Sequence, residues 1–506
     1  MLKSIDNLLN RITMYRLVLY YLIFLLGAAV FLSVLGILKY DVFALLFSIS
    51  FLLAVCWAVN WIFARTFGVT ANVESVYISA LILALIITPI HSFNDLWFLG
   101  WAAVLAMTSK YILAINRKHI FNPVALAVAV TYFTLNQSAS WWVGNAPLLP
   151  FVLIGGILVV RKIGRSDLVL SFLITTVATS LVLSLFGGVD LLGAMQRIFL
   201  YSPLFFFAFI ILTEPLTTPP TRRSRIGYGL LTGFFFSPQV HFGTFFITPE
   251  MAILIGNVFS YIISPKTRLV LRLKERVRVA PDIYDFIFTR ARRFGFAPGQ
   301  YMEWTLGHPG PDARGNRRYF TLASAPTEKT LRLGVKFTQR SSTFKKAMLG
   351  MKSGDEIVAA QLAGDFVLPR DPKQKCVLIA GGVGVTPFRS MVKYLLDTHQ
   401  RRPITLFYAN KNIEDIVYKD VFDQAQHELG IQVIYTVTEA SHLPASWSGT
   451  TGRITPQLIK SKVPDYRNCI FYISGPKGMV DSFKESLDKM HVRSSQIKTD
   501  FFSGLA

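Results

Sequence analysis

The chain is 506 residues long, 52% hydrophobic and 16% charged, with 52 Lys/Arg against 30 Asp/Glu. This length predicts two to four domains, and so large an apolar excess excludes one ordinary soluble globule. The sequence has no basic run with interleaved aromatics, which argues against nucleic acid; anionic lipid or an anionic dinucleotide accounts for the net charge of +22.

The charge is spread unevenly. Residues 1–264 hold 15 Lys/Arg and 8 Asp/Glu, leaving 37 and 22 for residues 265–506. The chain therefore reads as an α-helical membrane domain over 1–264, an antiparallel β-barrel over 265–370 and an α/β parallel-sheet nucleotide-binding domain over 371–506. Apolar stretches near 14–38, 42–63, 73–91, 94–109 and 120–135, then 146–160, 167–186, 192–212, 226–239 and 246–264, predict about ten spans. Five and five would suit an inverted repeat with a site near the midplane. Loops after spans two, four, six and eight carry Arg65; Lys110, Arg117 and Lys118; Arg161, Lys162 and Arg165; and Arg222, Arg223 and Arg225. The alternate loops hold no Lys or Arg apart from Lys39, so the positive-inside rule places both termini and the C-terminal domains in the cytoplasm of a bacterial inner membrane. The first apolar run is too long for a cleavable signal peptide.

Two bis-histidine haems would need four membrane histidines, and this part offers only His91, His119 and His241. Cys56, Cys376 and Cys469 lie far apart, so neither a zinc site nor a cysteine-held iron–sulfur cluster is expected, and no metal is assigned. Two other segments carry polar chemistry at span ends: Ser109-Lys110-Tyr111 running through Lys118 to Asn122-Pro123, and Leu212-Thr213-Glu214-Pro215-Leu216-Thr217. Asn-Pro and Thr-Glu-Pro interrupt helices, and irregular backbone at membrane depth is tolerated only against protein or a cavity. Glu214 is thereby a functional candidate; the competing reading is a capped helix end at the surface.

These segments, with Pro249-Glu250-Met251-Ala252 through Asn257, resemble the membrane flavin subunits B and D of the sodium-pumping NADH:quinone reductase and the Rnf complexes over residues 70–264. The resemblance implies a second flavin, FMN or riboflavin, lined by Lys110, Asn122, Thr213, Glu214 and Thr217. That family esterifies FMN to a threonine after an acidic residue. Here Ser138-Ala139-Ser140 lacks the acid and Asp190-Leu191-Leu192-Gly193-Ala194-Met195 ends in Met, so attachment is expected to be non-covalent.

In the third domain the apolar run Cys376–Ala380 feeds Gly381-Gly382-Val383-Gly384-Val385-Thr386-Pro387. A buried strand, a glycine turn and a helix bring backbone N–H groups to a pyrophosphate. Upstream, Phe296–Tyr301 and Arg317–Pro326 resemble the flavin barrel of the ferredoxin–NADP reductase superfamily. This likeness implies FAD, with Arg318 on the pyrophosphate, Tyr319 and Phe320 packed on the isoalloxazine or adenine side, and Thr321 at the N5 edge. Ser342 and Thr343, opening a helix, would serve the phosphates. Tyr472-Ile473-Ser474-Gly475-Pro476 matches the family element beside the nicotinamide, with Ser474 standing where a Cys is usual, and Phe501 or Phe502 would shield the ring. Thr321, Ser474 and Phe502 are the candidate catalytic residues. After the strand ending in Thr436 comes Glu439 with no Arg, which favours NADH over NADPH. The expected activity carries electrons from cytoplasmic NADH through FAD to a membrane flavin, and on to an extracytoplasmic flavoprotein or a quinone. The alternative is an ion-coupling or transport module with an attached flavin reductase.

Overall fold

The computed structural model describes residues 9, 12–67, 73–115, 118–188, 190–264, 269–289, 294–312, 315–339, 341–439, 443–444 and 447–500. They fall into two compact units, Met1–Lys266 and Thr267–Ala506.

The first unit is helical: α1 (Met14–Val34), α2 (Val42–Thr66), α3 (Val73–Ile86), α4 (Asp95–Ile112), α5 (Pro123–Leu135), α6 (Leu149–Ile163), α7 (Ser166–Phe186), α8 (Leu191–Leu200), α9 (Leu204–Ile211), α10 (Arg222–Phe236) and α11 (Pro249–Ile263). Among the described residues, α1, α2 and α7 are long and apolar enough to cross a membrane. The α8–α9 pair, bent by 53° at its break, makes a fourth if taken as one span. The remaining apolar stretches form shorter helices, and the reasons are local. The break between α8 and α9 holds Pro203, which has no N–H to donate. Helix α5 stops at Asn136 in the left-handed conformation. Helix α3 ends at Ile86, where a non-helical segment caps it: Trp141 N donates to Ile86 O at 2.8 Å, and the Trp142 indole donates to Ala84 O and Ile87 O at 2.9 and 3.0 Å.

Close approach fixes two of these helices on α6. A Cβ on Gly155 would lie 2.1 Å from the Tyr21 ring of α1, and one on Gly156 would lie 2.1 Å from the Phe209 ring of α9. Tyr21 also donates to Val152 O at 3.3 Å. The last five residues of α9, Phe207–Ile211, wind as a π-helix, with Leu212 N donating to Phe207 O at 2.9 Å. Such wider turns are frequent at functional sites.

The second unit opens with strands β1 (Leu269–Ala280), β2 (Ile283–Thr289), β3 (Tyr301–Thr305), β4 (Arg317–Thr321), β5 (Thr330–Lys336) and β6 (Glu356–Ala363), hydrogen-bonded antiparallel in the order β4-β3-β6-β1-β2-β5. Ala323 N donates to Arg332 O at 2.9 Å, bringing the two ends of that order together as a barrel. Its interior is filled by Leu271, Leu273, Phe286, Phe288, Met302 and Trp304. Helix α12 (Thr343–Leu349) closes one side, capped by Ser342 Oγ accepting from Lys345 N. The remaining strands, β7 (Cys376–Gly381), β8 (Ile404–Asn410), β9 (Gln432–Val437), β10 (Thr450–Thr451), β11 (Ile470–Ser474) and β12 (Ile497–Asp500), form a wholly parallel sheet in the order β10-β9-β8-β7-β11-β12. Helices α13 (Thr386–Asp397), α14 (Lys419–Leu429), α15 (Pro456–Lys462) and α16 (Lys477–Lys489) accompany it. The continuously apolar β7 is buried on both faces, as a central parallel strand requires.

Candidate functional site

The glycine turn occupies Gly382–Val385 between β7 and α13, and Gly382 takes φ +53°, a left-handed conformation open to glycine. A Cβ on Gly384 would lie 2.6 Å from Gly475 Cα and Ser474 O, so the two turns abut backbone to backbone. Pro476 packs beside Gly381, 3.3 Å from where its Cβ would stand. Thr386 and Pro387 open α13 directly after the turn. Gly381, Gly382, Gly384, Thr386, Pro387, Gly475 and Pro476 thus share one end of the parallel sheet, outside the carboxyl ends of the strands where such folds bind ligands.

Ser474 is buried at this edge and pairs in register with Asp500 of β12. Asp500 Oδ2 accepts from Thr321 Oγ1 at 3.0 Å. This bond brings barrel strand β4 to the last strand of the sheet and gathers Thr321, Ser474 and Asp500. The sequence marks no role for Asp500, because nothing local to Thr499-Asp500 announces a partner 179 residues away. Phe501 and Phe502 lie outside the described residues, as do Ser441 and His442. Burial pushes the Asp500 carboxyl up to about 7, against the opposing Thr321 bond. A free Asp titrates near 4 (roughly 3.9), so between that value and 7 the folded protein retains a proton that the unfolded chain has lost. Stability must then fall as pH rises through this window, by up to about 1.4 kcal/mol per pH unit. Thermal unfolding of Asp500→Asn between these limits should show a shallower slope; an unchanged slope would remove Asp500 as the cause.

Alternation along β4 divides its predicted residues. Arg318 and Phe320 face Phe344, with the Arg318 guanidinium 5.2 Å from the Phe344 ring and the Phe320 ring 6.1 Å away. Tyr319 and Thr321 take the other face, where Tyr319 meets the Tyr301 ring edge-on and donates to Glu303 Oε2 at 2.9 Å. Arg318 is 2% exposed and donates to Gly315 O, Arg317 O and Asp312 Oδ1. The other oxygen of Asp312 accepts from Thr343 N at 3.1 Å, and Thr343 Oγ1 bonds Asp312 N and His308 Nε2. Arg318 and Thr343 therefore converge on a carboxylate, a donor set that suits the anionic oxygens of a pyrophosphate. Asp312 and His308 were missed in the sequence, since no motif marks the loop that carries them.

In the helical unit the three polar motifs meet. Asn122 caps α5 by accepting from Ala125 N at 3.0 Å; its Nδ2 donates to Glu214 Oε2 at 2.9 Å, and its backbone N donates to Asn257 Oδ1 at 2.7 Å. Thr217 donates to the same Glu214 oxygen at 3.2 Å, and Asn257 Nδ2 donates to Tyr228 at 2.9 Å. Thr213 Oγ1 turns back to Phe209 O at 2.7 Å, satisfying a carbonyl of the π-turn. Lys110 makes its hydrogen bonds to α3 rather than to this set, donating to Ser75 O, Ser75 Oγ and Ser79 Oγ. Glu250 of the third motif is 1% exposed and accepts from the Trp141 indole at 3.0 Å. Among the described residues no group of His, Cys, Asp and Glu could hold a metal, and all three cysteines are free and buried.

Residues 144–269 match the NQR2, RnfD, RnfE family model, and residues 378–485 match that of the oxidoreductase NAD-binding domain. The chain joins an NQR2/RnfD/RnfE-family segment to an oxidoreductase NAD-binding domain. The flavohemoprotein of Deinococcus radiodurans is 28% identical over 212 residues, which are 41% of this chain and 51% of the relative. The chain thus spans about half the length of that protein. NADH-cytochrome b5 reductase 1 of Ajellomyces capsulatus is 26% identical over 250 residues, 46% of this chain and 79% of the relative. The FAD/NAD-binding domain of nitric oxide dioxygenase from Vibrio cholerae is a similar solved structure, at 19% identity and a TM-score of 0.41, covering 46% of this chain and 98% of the domain. The NAD-binding match takes in the glycine turn and Ser474-Gly475-Pro476, while the NQR2/RnfD/RnfE match takes in Glu214, Thr217 and Asn257 but begins after Lys110 and Asn122.

Proposed function

We propose that this protein is a multi-pass oxidoreductase of a bacterial inner membrane. It takes electrons from cytoplasmic NADH through FAD and passes them to a second, non-covalent flavin among the apolar helices, then to an extracytoplasmic flavoprotein or a quinone. The observation that carries the reading is the meeting of the glycine turn, the Ser474-Gly475 turn and Thr321 through Asp500, an arrangement that supports a nucleotide site beside a flavin site. A bound flavin supplies acceptance of a hydride from nicotinamide and release of its electrons onward. The chain's part is to hold and align. Arg318 and Thr343 bind phosphate oxygens, the backbone of Gly382–Val385 approaches the dinucleotide, and Thr321 presents a hydroxyl whose proton is fixed by Asp500. Glu439, salt-bridged to Lys411 beyond β9, favours a free ribose hydroxyl over a 2′-phosphate, hence NADH.

In the helical unit, Asn122, Glu214 and Thr217 supply the polar contacts for the second flavin, with Thr213 shaping the π-turn and Lys110 contributing a cation nearby. The convergence of three separate motifs on Asn122 supports a site there, since a merely capped helix end needs no partner from α11. The alternative ion-coupling reading draws on Glu250, a carboxylate buried in apolar surroundings. Flavin extraction decides between them. More than one flavin per chain is the expected count, whereas FAD alone at one per chain favours the alternative. Glu214→Ala and Asn122→Ala should leave reduction of FAD by NADH intact and slow acceptor reduction by about tenfold or more, the loss of one to two polar contacts; parental acceptor rates would displace the site. Turnover with NADH against NADPH tests the nucleotide preference.

A further inference from the structure

Arg389 lies one turn into α13, directly beyond the glycine turn, and is 4% exposed. Its Nη1 donates to Ala323 O at 2.8 Å and to Glu328 Oε2 at 2.6 Å, and its Nη2 donates to Glu328 Oε1 at 2.9 Å. Glu328 Oε2 in turn accepts from Ala325 N, while Ser390 Oγ donates to Ser324 O at 2.7 Å. All these barrel partners sit in the loop that follows Thr321. The Arg389 guanidinium also lies 5.4 Å from the Tyr418 ring, and Tyr418 donates to Asp285 Oδ1. Asp285 accepts from Arg332, whose carbonyl receives Ala323 N, and so the path returns to the loop it left.

The ring is closed and shared between barrel and sheet, and Arg389, Tyr418 and Asp285 are buried in it. Tyr418 holds a left-handed φ of +59° at the start of α14, a conformation kept only where the surroundings impose it. Beneath it, Gly334 of β5 leaves no room: a Cβ there would lie 2.5 Å from the Tyr418 hydroxyl and 2.8 Å from Thr386 Cγ2. Thr386, the first residue past the glycine turn, thus rests on bare backbone of the barrel.

We propose that Arg389, with Glu328 and Tyr418, is a positioning residue that holds the nucleotide turn at one separation from strand β4, and so fixes the distance over which hydride passes. The inference rests on the NADH–flavin reading above. In that step one C–H bond of the dihydronicotinamide breaks, one N–H bond forms on the flavin, and both electrons travel with the hydrogen. Reactions of this kind are steep in distance: misplacement by 1 Å can cost about 100-fold. A plain surface ion pair would not be buried, bidentate and bonded to the backbone two residues past Thr321.

The test uses full-length protein in detergent and compares Arg389→Lys, which keeps the charge and loses the fork, with Gly334→Ala, which removes no polar group and wedges one methyl under Thr386. Flavin content, NADH affinity and the single-turnover rate of flavin bleaching are measured, with hydrogen exchange of segments 322–330 and 385–393 in protein free of nucleotide. Both variants should keep their flavin and bind NADH within about twofold of the parent, yet bleach about 10–100-fold more slowly. Exchange should rise in those two segments alone, and the deuterium isotope effect should become more temperature-dependent. Parental bleaching with raised exchange would overturn the proposal, as would a rate loss matched by an equal loss of NADH affinity. If Arg389→Lys does not fold, Gly334→Ala alone decides by the same readouts. A parent protein that NADH does not bleach would instead defeat the NADH reading, an outcome separable from either of these.

Discussion

Arg318→Ala should leave the purified protein without FAD and lower the stability of the second unit by about 3–5 kcal/mol, the range for removing one member of a buried charged pair. The side chain is 2% exposed, and its loss removes the bonds it donates to Gly315 O, Arg317 O and Asp312 Oδ1. It also uncovers the Phe344 ring, so packing is lost along with charge. Arg318→Lys returns the charge but cannot reproduce a planar fork reaching three acceptors. It should sit between the two, with partial flavin retention and a smaller drop in unfolding temperature. The flavin-to-protein ratio after gel filtration and the unfolding temperature together report both effects. Full FAD occupancy in Arg318→Ala would remove this residue from the flavin site.

The second large effect is expected in the helical unit. Asn122→Ala removes the α5 cap, for about 1 kcal/mol, and the amide donor to Glu214, for about 1.5–3 kcal/mol as a bond to a charged group. Two further substitutions separate these terms. Asn122→Ser keeps an oxygen for Ala125 N but cannot reach Glu214 as an amide does, so it should recover only the cap. Asn122→Asp also keeps the cap and sets a second carboxylate against Glu214 Oε2, now 2.9 Å from the amide nitrogen. Unless one of the two carboxyls holds a proton, it should be the least stable of the three. Thermal unfolding in one detergent ranks them. A serine variant as stable as the parent would show that the Glu214 contact contributes nothing.

The legibility of this fold followed the range of the interactions. Strand β7 could be read because Cys376-Val377-Leu378-Ile379-Ala380 is apolar on both faces and ends in glycine, a signal contained within ten residues. Asn122-Pro123 and Thr213-Glu214-Pro215 were readable as helix interruptions for the same reason, although their meeting through one hydrogen bond was not. Hydropathy finds apolar runs and not the points where helices stop. It carried one stretch through Pro203 and another past Ile86, where the Trp142 indole caps α3 from 55 residues away. Asp500 and Arg389 escaped for a related cause: each acts on a barrel residue more than 60 positions off, and a lone Asp or Arg in an α/β domain reads as surface charge.

The adjacent glycines of α6 bear on how the helical unit is made. Tyr21 enters the notch at Gly155 and Phe209 the notch at Gly156, so α6 is seated between aromatics separated by 188 positions of chain. At about 5–20 residues per second the ribosome needs roughly 10–40 s to travel from one aromatic to the other. Until α6 follows it, α1 lacks the groove that receives Tyr21, and until α9 follows in turn the notch at Gly156 stands open. A bulkier residue at position 155 or 156 would therefore act first during biogenesis. It would leave early helices unlocked and open to proteolysis, and the yield of intact protein would fall before any purified sample could show a lower unfolding temperature.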